Sequence, residues 1–365
     1  MAAPLGVGII GLSADGGWGA RAHLPALQSL DGFVVRGLSA SSKEAAQRAQ
    51  RQFGIDLAVD DPHELAHHPD IDLVAICVRV PQHAELVRAC TEAGKTVYCE
   101  WPLARTLAEA QELAALASGA GLHTAVGLQA RSTPTVRYLR DLIAEGYIGD
   151  VLSTTLVGSG GGWADTCTVR SSYTFDRASG ASMLTVPLGH TLDALTYVLG
   201  PIHDVSATAG IRRPYGTNTE TGEQVIKTAH DQIAVHGTLD SGAIYAAHYR
   251  GGLSAGTNFL WEVNGTAADI VLRGPTGHLQ FGQARIFGAQ HGADLEPMPV
   301  PTTYLRTPDP LADSGASTVA HAYAHLLQDI EEGTHTVPDF EHAVAHHQTL
   351  EAIEASALHG SRSVL

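Results

Sequence analysis

Residues Val7–Gly19 read VGIIGLSADGGWG, and this stretch decides the fold. A largely apolar run ends at Gly11 and passes directly into a segment of glycines and small residues. Such a run followed by glycine is typical of a buried strand that stops at a tight turn. The next segment, Arg21–Leu30, has the pattern of a helix. The stretch therefore predicts a strand, a glycine-rich loop and a helix in succession.

The alternation of strand and helix continues to residue 128. Strands are predicted at Val7–Gly11, Phe33–Leu38, Leu73–Val78, Thr96–Cys99 and His123–Gly127. Helices are predicted at Arg21–Leu30, Lys43–Phe53, from Pro62 with Asp61 as its cap, Gln82–Ala93 and Leu107–Ser118. Strands that alternate with helices through short connections form a doubly wound parallel sheet. We therefore predict an α/β Rossmann domain over residues 1–128.

The glycine-rich loop is placed to bind a dinucleotide. Small residues let the backbone approach a pyrophosphate, and the following helix N-terminus adds partial positive charge. The loop departs from the usual G-x-G-x-x-G pattern, because Ser13 stands at the second glycine and the loop is longer. Its position still predicts NAD or NADP binding, with contacts at Gly11, Ser13, Gly17 and Trp18.

The second predicted strand ends in Ser39-Ala-Ser-Ser-Lys43 rather than in an acid. NAD-preferring sites usually place an acid here, which accepts hydrogen bonds from the ribose 2′-hydroxyl. Hydroxyls and an ammonium group suit the 2′-phosphate of NADP instead. We therefore predict NADP as the cofactor, with NAD possible, and contacts at Ser39, Ser41, Ser42 and Lys43. The alternative is that Ser41 or Ser42 only caps the following helix.

The composition argues against several function classes. The 365 residues include 38 acidic and 22 basic ones, and the net charge of −16 repels nucleic acids and anionic membranes. The chain does not open on a signal-peptide pattern, and no apolar run approaches the ~18 residues of a membrane span. The four cysteines show no Cys-x-x-Cys spacing. We expect a cytoplasmic protein with reduced thiols and no direct nucleic-acid or membrane partner.

The rest of the chain predicts a second domain over residues 129–365, in agreement with a length that exceeds one hydrophobic core. Strands are predicted at Val151–Val157, Val205–Ile211, Gln232–Leu239, Ala243–Tyr249, Leu260–Asn264, Ala268–Leu272 and His278–Phe281. Helices are predicted at Thr133–Glu145, Thr191–Leu199, Val319–Glu332 and Phe340–His359. Many strands with few intervening helices indicate an α+β domain rather than a second nucleotide-binding fold.

Segments along nearly the whole chain resemble the Gfo/Idh/MocA oxidoreductases, the family of glucose-fructose oxidoreductase and inositol dehydrogenase. The matching segments are Val7–Gly11, Asp70–Ile76, Pro81–His83, Glu100–Pro102, Gly127–Arg131, Gly146–Asp150, Gly189–Asp193 and Pro338–Glu341. The resemblance implies a Rossmann domain followed by an α+β domain with an open, mostly antiparallel sheet. Because that sheet often mediates oligomerisation in the family, a homodimer or homotetramer is expected.

The chain departs from the family at the residues that usually move the proton. The family's Glu-Lys-Pro motif reads Glu100-Trp101-Pro102 here, so the usual catalytic lysine is absent. Val186 stands four residues before His190, where the family has an aspartate, whereas His190 itself is retained. In its longer glycine-rich loop and its Glu-Trp pair, the chain is similar to the branch that contains the fungal repressor of galactose-utilisation genes. That repressor binds a dinucleotide and is thought to act through protein contacts.

The resemblance supplies the remaining candidate site residues. Besides the loop and strand-end residues above, cofactor contacts are expected at Val80, His83, Glu100, Trp101, Pro102 and Gln129. Substrate contacts are expected at Trp101, Arg131, Trp163 and Asp193, and proton transfer at His190, Tyr173 or Lys227. A histidine has the pKa range of a general acid–base. The alternatives are that His190 is a structural histidine and that Trp101 only fills the space of the lysine.

Two functions of different classes stay open. The first is an NAD(P)-dependent oxidoreductase of a sugar-like or other small polar carbonyl or alcohol. Biliverdin reductase, which resembles this chain in having an aromatic residue between the glutamate and the proline, shows that the family's chemistry does not require the lysine. The second is an inactive NAD(P)-binding sensor that binds a partner protein. The 20 histidines include His321 and His325 on one helix face, but the spacing predicts no metal site.

Overall fold

A computed structural model describes residues 3–307, 311 and 314–365. The chain divides into two compact units. Unit 1 comprises Met1–Ser132 and Leu305–Ala345, and unit 2 comprises Thr133–Tyr304 and His346–Leu365. The first division falls four residues after the predicted boundary at 128. Residues 305–345 were predicted in the second domain, but they belong to unit 1.

Unit 1 contains a six-stranded sheet in the order β3-β2-β1-β4-β5-β6 with every pair parallel. Its strands are β1 (Leu5–Ile10), β2 (Phe33–Ser39), β3 (Leu57–Val59), β4 (Leu73–Ile76), β5 (Thr96–Cys99) and β6 (Thr124–Val126). The sequence pattern predicts five of the six, all but the three-residue strand β3. The doubly wound parallel sheet is confirmed, and its strand order is that of the dinucleotide-binding fold.

Nine α-helices fall within the described residues. They are α1 (Leu24–Gln28), α2 (Lys43–Phe53), α3 (Pro62–Ala66), α4 (His83–Glu92), α5 (Leu107–Gly119), α6 (Pro134–Ala144), α7 (Gly189–Leu199), α8 (Gly315–Glu332) and α9 (Phe340–His359). The predicted helix Arg21–Leu30 is divided, because a π-helical turn, Gly19–His23, precedes α1. Asp61 caps α3 as predicted, its Oδ1 accepting from the backbone N–H of His63 at 2.8 Å.

Helix α8 shows why residues 305–345 join unit 1. Val319, Ala320, Tyr323 and Leu326 of α8 are buried in the same apolar core as Leu24 and Phe33. Gly32 leaves no room for a Cβ, because Leu327 packs directly against it. Burial of this apolar face stabilises the Rossmann unit by removing large side chains from water.

Unit 2 contains a nine-stranded sheet in the order β17-β16-β15-β14-β7-β13-β12-β9-β18 and a three-stranded sheet in the order β11-β10-β8. The strands are β7 (Val151–Gly160), β8 (Thr166–Cys167), β9 (Asp204–Gly210), β10 (Tyr215–Asn218), β11 (Gln224–Ile226), β12 (Gln232–Thr238), β13 (Ile244–Gly251), β14 (Phe259–Gly265), β15 (Ala268–Gly274), β16 (Arg285–Gln290), β17 (Glu296–Pro297) and β18 (Ser363–Val364). In the large sheet every described pair is antiparallel except β7 with β13. The predicted α+β domain with an open, mostly antiparallel sheet is confirmed.

One predicted strand is wrong. His278–Phe281 is not a strand; Leu279–Phe281 form a 3₁₀ turn that ends at Gly282 in the left-handed region, with φ +72°. The ring of His278 stacks on the ring of Phe281 instead of projecting from a pleat. The apolar pattern did not indicate this turn, because a run of four residues is too short to distinguish a strand from a 3₁₀ turn.

Candidate functional site

Gly11 ends β1 in a backbone conformation that only glycine adopts without strain. Its φ is +92°, and a Cβ there would lie 2.8 Å from Val78 Cγ1 and 2.9 Å from the carbonyl oxygen of Cys77. Its backbone N–H donates to the carbonyl of Ser39 at 2.9 Å, which ties the loop to the end of β2. Gly11 therefore sets the path of the loop at the carboxyl ends of the strands, where doubly wound folds bind dinucleotides.

The rest of the loop is stabilised internally. Ser13 Oγ accepts from the backbone N–H of Asp15 at 3.1 Å, and Gly16 and Gly17 both have positive φ. A Cβ on Gly16 would meet nothing within 4 Å, so the backbone there is open to a ligand. Trp18, predicted to contact the cofactor, packs its ring against Gly315 at the start of α8. The tertiary structure thus uses Trp18 to hold α8.

The end of β2 departs from the prediction in one respect. Ser42 caps α2, with its Oγ accepting from Ala45 N at 3.2 Å, and a further hydrogen bond joins its side chain to Glu44. Hydrogen bonds from its own backbone N–H and from Ser42 lower the pKa of the exposed Glu44 carboxyl. The capping alternative is therefore realised for Ser42. Sequence reasoning missed Glu44, the acid that the helix start presents in place of one at the strand end.

His83 holds two segments of unit 1 together. Its Nδ1 lies 2.9 Å from the carbonyl oxygen of Pro102, and its Nε2 lies 3.1 Å from that of Val78. Burial lowers the pKa of His83 despite these backbone contacts, so the ring is neutral at pH 7. Val80 begins the 3₁₀ turn that leads into α4 and is buried. The predicted contact of His83 with the cofactor stays a prediction; within the protein, both ring nitrogens lie within hydrogen-bond distance of backbone carbonyls.

Glu100 lies at the end of a buried series of hydrogen bonds that the sequence did not predict. His23 Nε2 lies 2.9 Å from Glu100 Oε1, and His23 Nδ1 lies 2.8 Å from the hydroxyl of Tyr323. The Glu100 carboxylate also fills the space that a Cβ on Gly127 would need, 2.6 Å from Oε1. His23 lies in the π-helical turn and Tyr323 in α8, so no spacing in the sequence could indicate these hydrogen bonds.

Trp101 and Pro102 follow Glu100 and join through a cis peptide bond. Trp101 is only 5% exposed, which agrees with a side chain that occupies the space of the family's lysine. Gln129 is 2% exposed, and its Oε1 has no hydrogen-bond partner among the residues that the structure describes. Arg131, predicted to bind substrate, is buried with its Nη2 2.8 Å from His342 Nε2.

In unit 2, His190 lies on α7 and is 3% exposed. Its Nδ1 has no hydrogen-bond partner in the described part of the chain. Burial lowers the pKa of His190 to about 3; the buried Asp193 opposes this shift, and His278 and His346 add to it. The imidazole is therefore neutral at pH 7, able to donate or accept a hydrogen bond but not to act as a preformed cation.

Trp163 and His278 lie near His190. Their ring centroids are 5.6 Å apart and nearly parallel, and burial lowers the pKa of His278 to about 4. Trp163 Nε1 is buried and has no hydrogen-bond partner among the described residues. The sequence did not single out His278, because its position in a mispredicted strand hid it.

Lys227 and Tyr173, the other two residues predicted to transfer protons, lie in different local surroundings. Lys227 Nζ donates to the carbonyl oxygens of Trp163, at 3.4 Å, and of Ala164, and it lies 4.4 Å from the centre of the Phe175 ring. Burial lowers the pKa of this ammonium group. The structure thus gives Lys227 the role of holding the Trp163 loop. Tyr173 is half-buried in the 3₁₀ turn Ser172–Phe175.

The described residues form neither a metal-binding cluster nor a membrane-spanning helix. No group of three or more His, Cys, Asp or Glu side chains there is arranged to hold a metal ion. No described helix is both long enough and apolar enough to span a membrane.

Two family models match the chain in succession. Residues 5–128 match the oxidoreductase family with an NAD-binding Rossmann fold, and residues 134–274 match the C-terminal domain of Gal80p. The galactose/lactose metabolism regulatory protein GAL80 of Kluyveromyces lactis is 27% identical over 320 residues, which are 80% of this chain and 70% of that protein. Levoglucosan dehydrogenase of Pseudarthrobacter phenanthrenivorans is 27% identical over 292 residues, 73% of each chain.

Solved structures agree with the fold over the whole chain. A super-repressor mutant of Gal80p from Saccharomyces cerevisiae has a TM-score of 0.88 at 23% identity, covering 99% of this chain and 98% of that one. Levoglucosan dehydrogenase in complex with NADH and levoglucosan has a TM-score of 0.85 at 22% identity, covering 99% of both chains. The resemblance drawn from the sequence motifs is confirmed.

Proposed function

We propose that this chain, which joins a Rossmann domain of the Gfo/Idh/MocA oxidoreductase family to a Gal80-like C-terminal domain, is an NAD(P)-dependent oxidoreductase of a sugar-like or other small polar carbonyl or alcohol. One observation carries the proposal. The buried Nδ1 of His190 has no hydrogen-bond partner within the described structure. Leaving such a group unpaired costs about 1–3 kcal/mol, which a polar ligand would recover.

The residues of unit 1 fit a nicotinamide dinucleotide. Gly11 leaves no room for a side chain, and a Cβ on Gly16 would meet nothing within 4 Å, so the loop backbone permits close approach of a pyrophosphate. Gln129 Oε1 is a buried acceptor without a described partner, suited to a ribose hydroxyl or a carboxamide N–H. A bound nicotinamide supplies or accepts the hydride. Gly11 shapes the loop, and Gln129 orients the cofactor.

His190 acts as a neutral group. With its pKa near 3, the ring binds and orients the substrate oxygen through a hydrogen bond, with its tautomer set by the ligand. Neutral imidazoles serve this way in other enzymes, where they polarise a carbonyl without carrying charge. In this proposal, His190 binds and orients the substrate oxygen. Tyr173 is the second candidate for proton transfer.

The 2′-phosphate of NADP is proposed to bind at the end of β2. Support comes from Lys43 at the start of α2, from Ser41 beside it and from Ser39 at the strand end. Glu44 opposes this preference, since its carboxylate lies on the same helix turn and pairs with Ser42. The preference for NADP over NAD therefore depends on two opposing groups. The Lys43 ammonium group attracts the 2′-phosphate, and the exposed Glu44 carboxylate repels it.

A second function is favoured by a separate observation. Trp101 replaces the usual lysine and is nearly buried, and a GAL80 regulatory protein is among the similar proteins. An NAD(P)-binding sensor that contacts a partner protein agrees with both facts. Incubation of the purified protein with NADPH or NADH and a panel of sugars and their ketone forms separates the two functions. Steady change in nicotinamide absorbance supports the enzyme; dinucleotide binding without turnover, together with a co-purifying protein, supports the sensor.

We also propose a homodimer through the open face of the large sheet. Along β13, Ile244 and His248 are exposed and Ala246 is half-buried, while Tyr245 and Ala247 are buried, so this face brings the apolar side chain of Ile244 to the surface. Such a face is typical of a protein contact. Light scattering should give twice the chain mass, and Thr155→Arg at the centre of this face should give the monomer mass. A wild-type monomer at micromolar concentration would contradict the proposal.

A further inference from the structure

Two tryptophans of unit 2 differ in how their indole N–H groups are used. Trp261 Nε1 donates to Thr154 Oγ1 at 2.9 Å, as a buried donor in a core should. Trp163 is 8% exposed and also buried at Nε1, but this donor has no partner among the described residues. A buried N–H without an acceptor costs about 1–3 kcal/mol, so Trp163 points to an acceptor that the described residues do not supply.

His278 presents a second donor beside Trp163. Gln280 Nε2 lies 3.1 Å from His278 Nδ1 and donates to it, which places the proton of the neutral ring on Nε2. The ring stacks on Trp163, with centroids 5.6 Å apart, and on Phe281, with centroids 4.8 Å apart and nearly parallel planes. These two contacts fix the ring plane, and with it the direction of the Nε2–H.

The surrounding segments bring this pair close to α7. A Cβ on Gly160 would lie 3.2 Å from Trp163, 3.3 Å from Met183 and 3.4 Å from Pro187, so all three side chains converge on this glycine. Pro187 is three residues before His190, and the charge of His278 acts on the pKa of His190. The indole N–H, the imidazole N–H and the unpartnered Nδ1 of His190 therefore belong to one region of unit 2.

The cationic side chains near Trp163 and His278 donate their hydrogen bonds to other groups of the protein. Lys227 donates to the carbonyls of Trp163 and Ala164, Arg213 Nη1 donates to the carbonyl of Gly251 at 3.0 Å, and Arg250 Nε donates to Ser159 Oγ at 3.1 Å. All four of these hydrogen bonds lie within the protein. A carboxylate or phosphate bound at the Trp163 and His278 donors would lose its hydration without gaining one of these charges.

We propose that Trp163 and His278 form a specificity-determining subsite that binds one uncharged acceptor oxygen of the substrate through two neutral N–H donors. The inference rests on the proposed function and assigns the residues that select its substrate. A hydroxyl, ether or carbonyl oxygen accepts both hydrogen bonds, whereas an anionic oxygen is disfavoured. Each lost hydrogen bond should weaken binding about tenfold, the equivalent of ~1.4 kcal/mol.

Selective ¹⁵N labelling of the four tryptophans tests the subsite directly, because each indole N–H gives one signal. The Trp163 signal is assigned from the Trp163→Phe variant, and Trp261 serves as the internal control. The probes are D-glucose and myo-inositol as uncharged polyols and D-gluconate as a carboxylate of similar size. We expect a polyol to shift the Trp163 signal and leave Trp261 unmoved, with gluconate at least about tenfold weaker.

The variant His278→Phe retains the stacking ring and removes the donor. It should weaken polyol binding about tenfold while leaving dinucleotide affinity unchanged. An unmoved Trp163 signal with both polyols, gluconate binding of equal strength, or unchanged polyol affinity in the variant would each overturn the inference. Failure of the proposed function is seen separately, as absence of nicotinamide turnover, and does not affect the indole signals.

Discussion

His23 and His83 of unit 1 and His190 of α7 are all buried, but they differ in their partners. His23 and His83 have both ring nitrogens within hydrogen-bond distance of protein groups: Tyr323 and Glu100 for His23, and two backbone carbonyls for His83. His190 has a buried Nδ1 without a described partner. The comparison separates a scaffold, which satisfies its own polar groups, from a site, which leaves them for a ligand.

The strongest test of this difference is His190→Ala. If His190 handles the substrate oxygen, kcat should fall by about 10²–10⁴ while dinucleotide affinity stays within twofold. The matched control is His83→Gln, which should lower thermal stability but change kcat less than tenfold, since it disturbs a buried hydrogen bond that the neutral ring donates to a backbone carbonyl. Steady-state kinetics and fluorescence titration measure both variants. If His190→Ala retained full turnover, another group such as Tyr173 would act on the substrate oxygen, and the role of His190 would be disproved.

Gly11→Ala tests the scaffold side of the comparison. The new Cβ would clash with Val78 and Cys77 at a positive φ, displacing the loop and weakening dinucleotide binding about 100-fold, or ~3 kcal/mol. Gly16→Ala is the control, because Gly16 has a similar φ of +89° and open space around it. Its effect should stay below about tenfold. Equal effects of the two variants in a binding titration would show that backbone strain alone, not the clash, decides affinity.

The low pKa of His190 predicts a loss of stability in acid. A histidine neutral in the folded state and protonated in the unfolded state stabilises the fold fully above pH 6.5 and progressively less as the pH falls toward 3. Between pH 6.5 and 5 the free energy of unfolding should fall by about 2 kcal/mol from this residue. Urea denaturation of the wild type and of His190→Asn at both values measures it. An equal pH dependence in the two proteins would mean that His190 is not neutral in the fold.

The smallest expected effect concerns the choice of dinucleotide. NADPH should bind about tenfold more tightly than NADH, since Lys43 would pair with the 2′-phosphate. Glu44→Gln should increase this preference by removing the opposing carboxylate, and Lys43→Met should abolish it. Calorimetric titration with both dinucleotides decides the matter. Tighter binding of NADH than of NADPH by the wild type would contradict the prediction. It would indicate that Glu44 accepts hydrogen bonds from the ribose hydroxyls.

The sequence determined the elements of the fold but not all of the partners in its site. Local patterns predicted α2, β5 and α9 with their observed ends, because apolar periodicity, caps and glycines act over a few residues. The hydrogen bonds that link Glu100 to His23 and His23 to Tyr323 of α8 join residues 77 and 300 positions apart. No local pattern carries such information.

What the sequence alone determined is therefore the Rossmann unit, the open sheet and the loss of the usual lysine at Trp101. Only the tertiary structure decided which polar side chains hold the protein together and which are left for a ligand. Lys227, Arg131 and His83 were predicted for proton transfer, substrate binding and cofactor binding, and the fold gives each of them a protein partner. The physical reason is that hydrogen-bond satisfaction depends on groups brought together by the fold, and burial sets the pKa of each remaining imidazole.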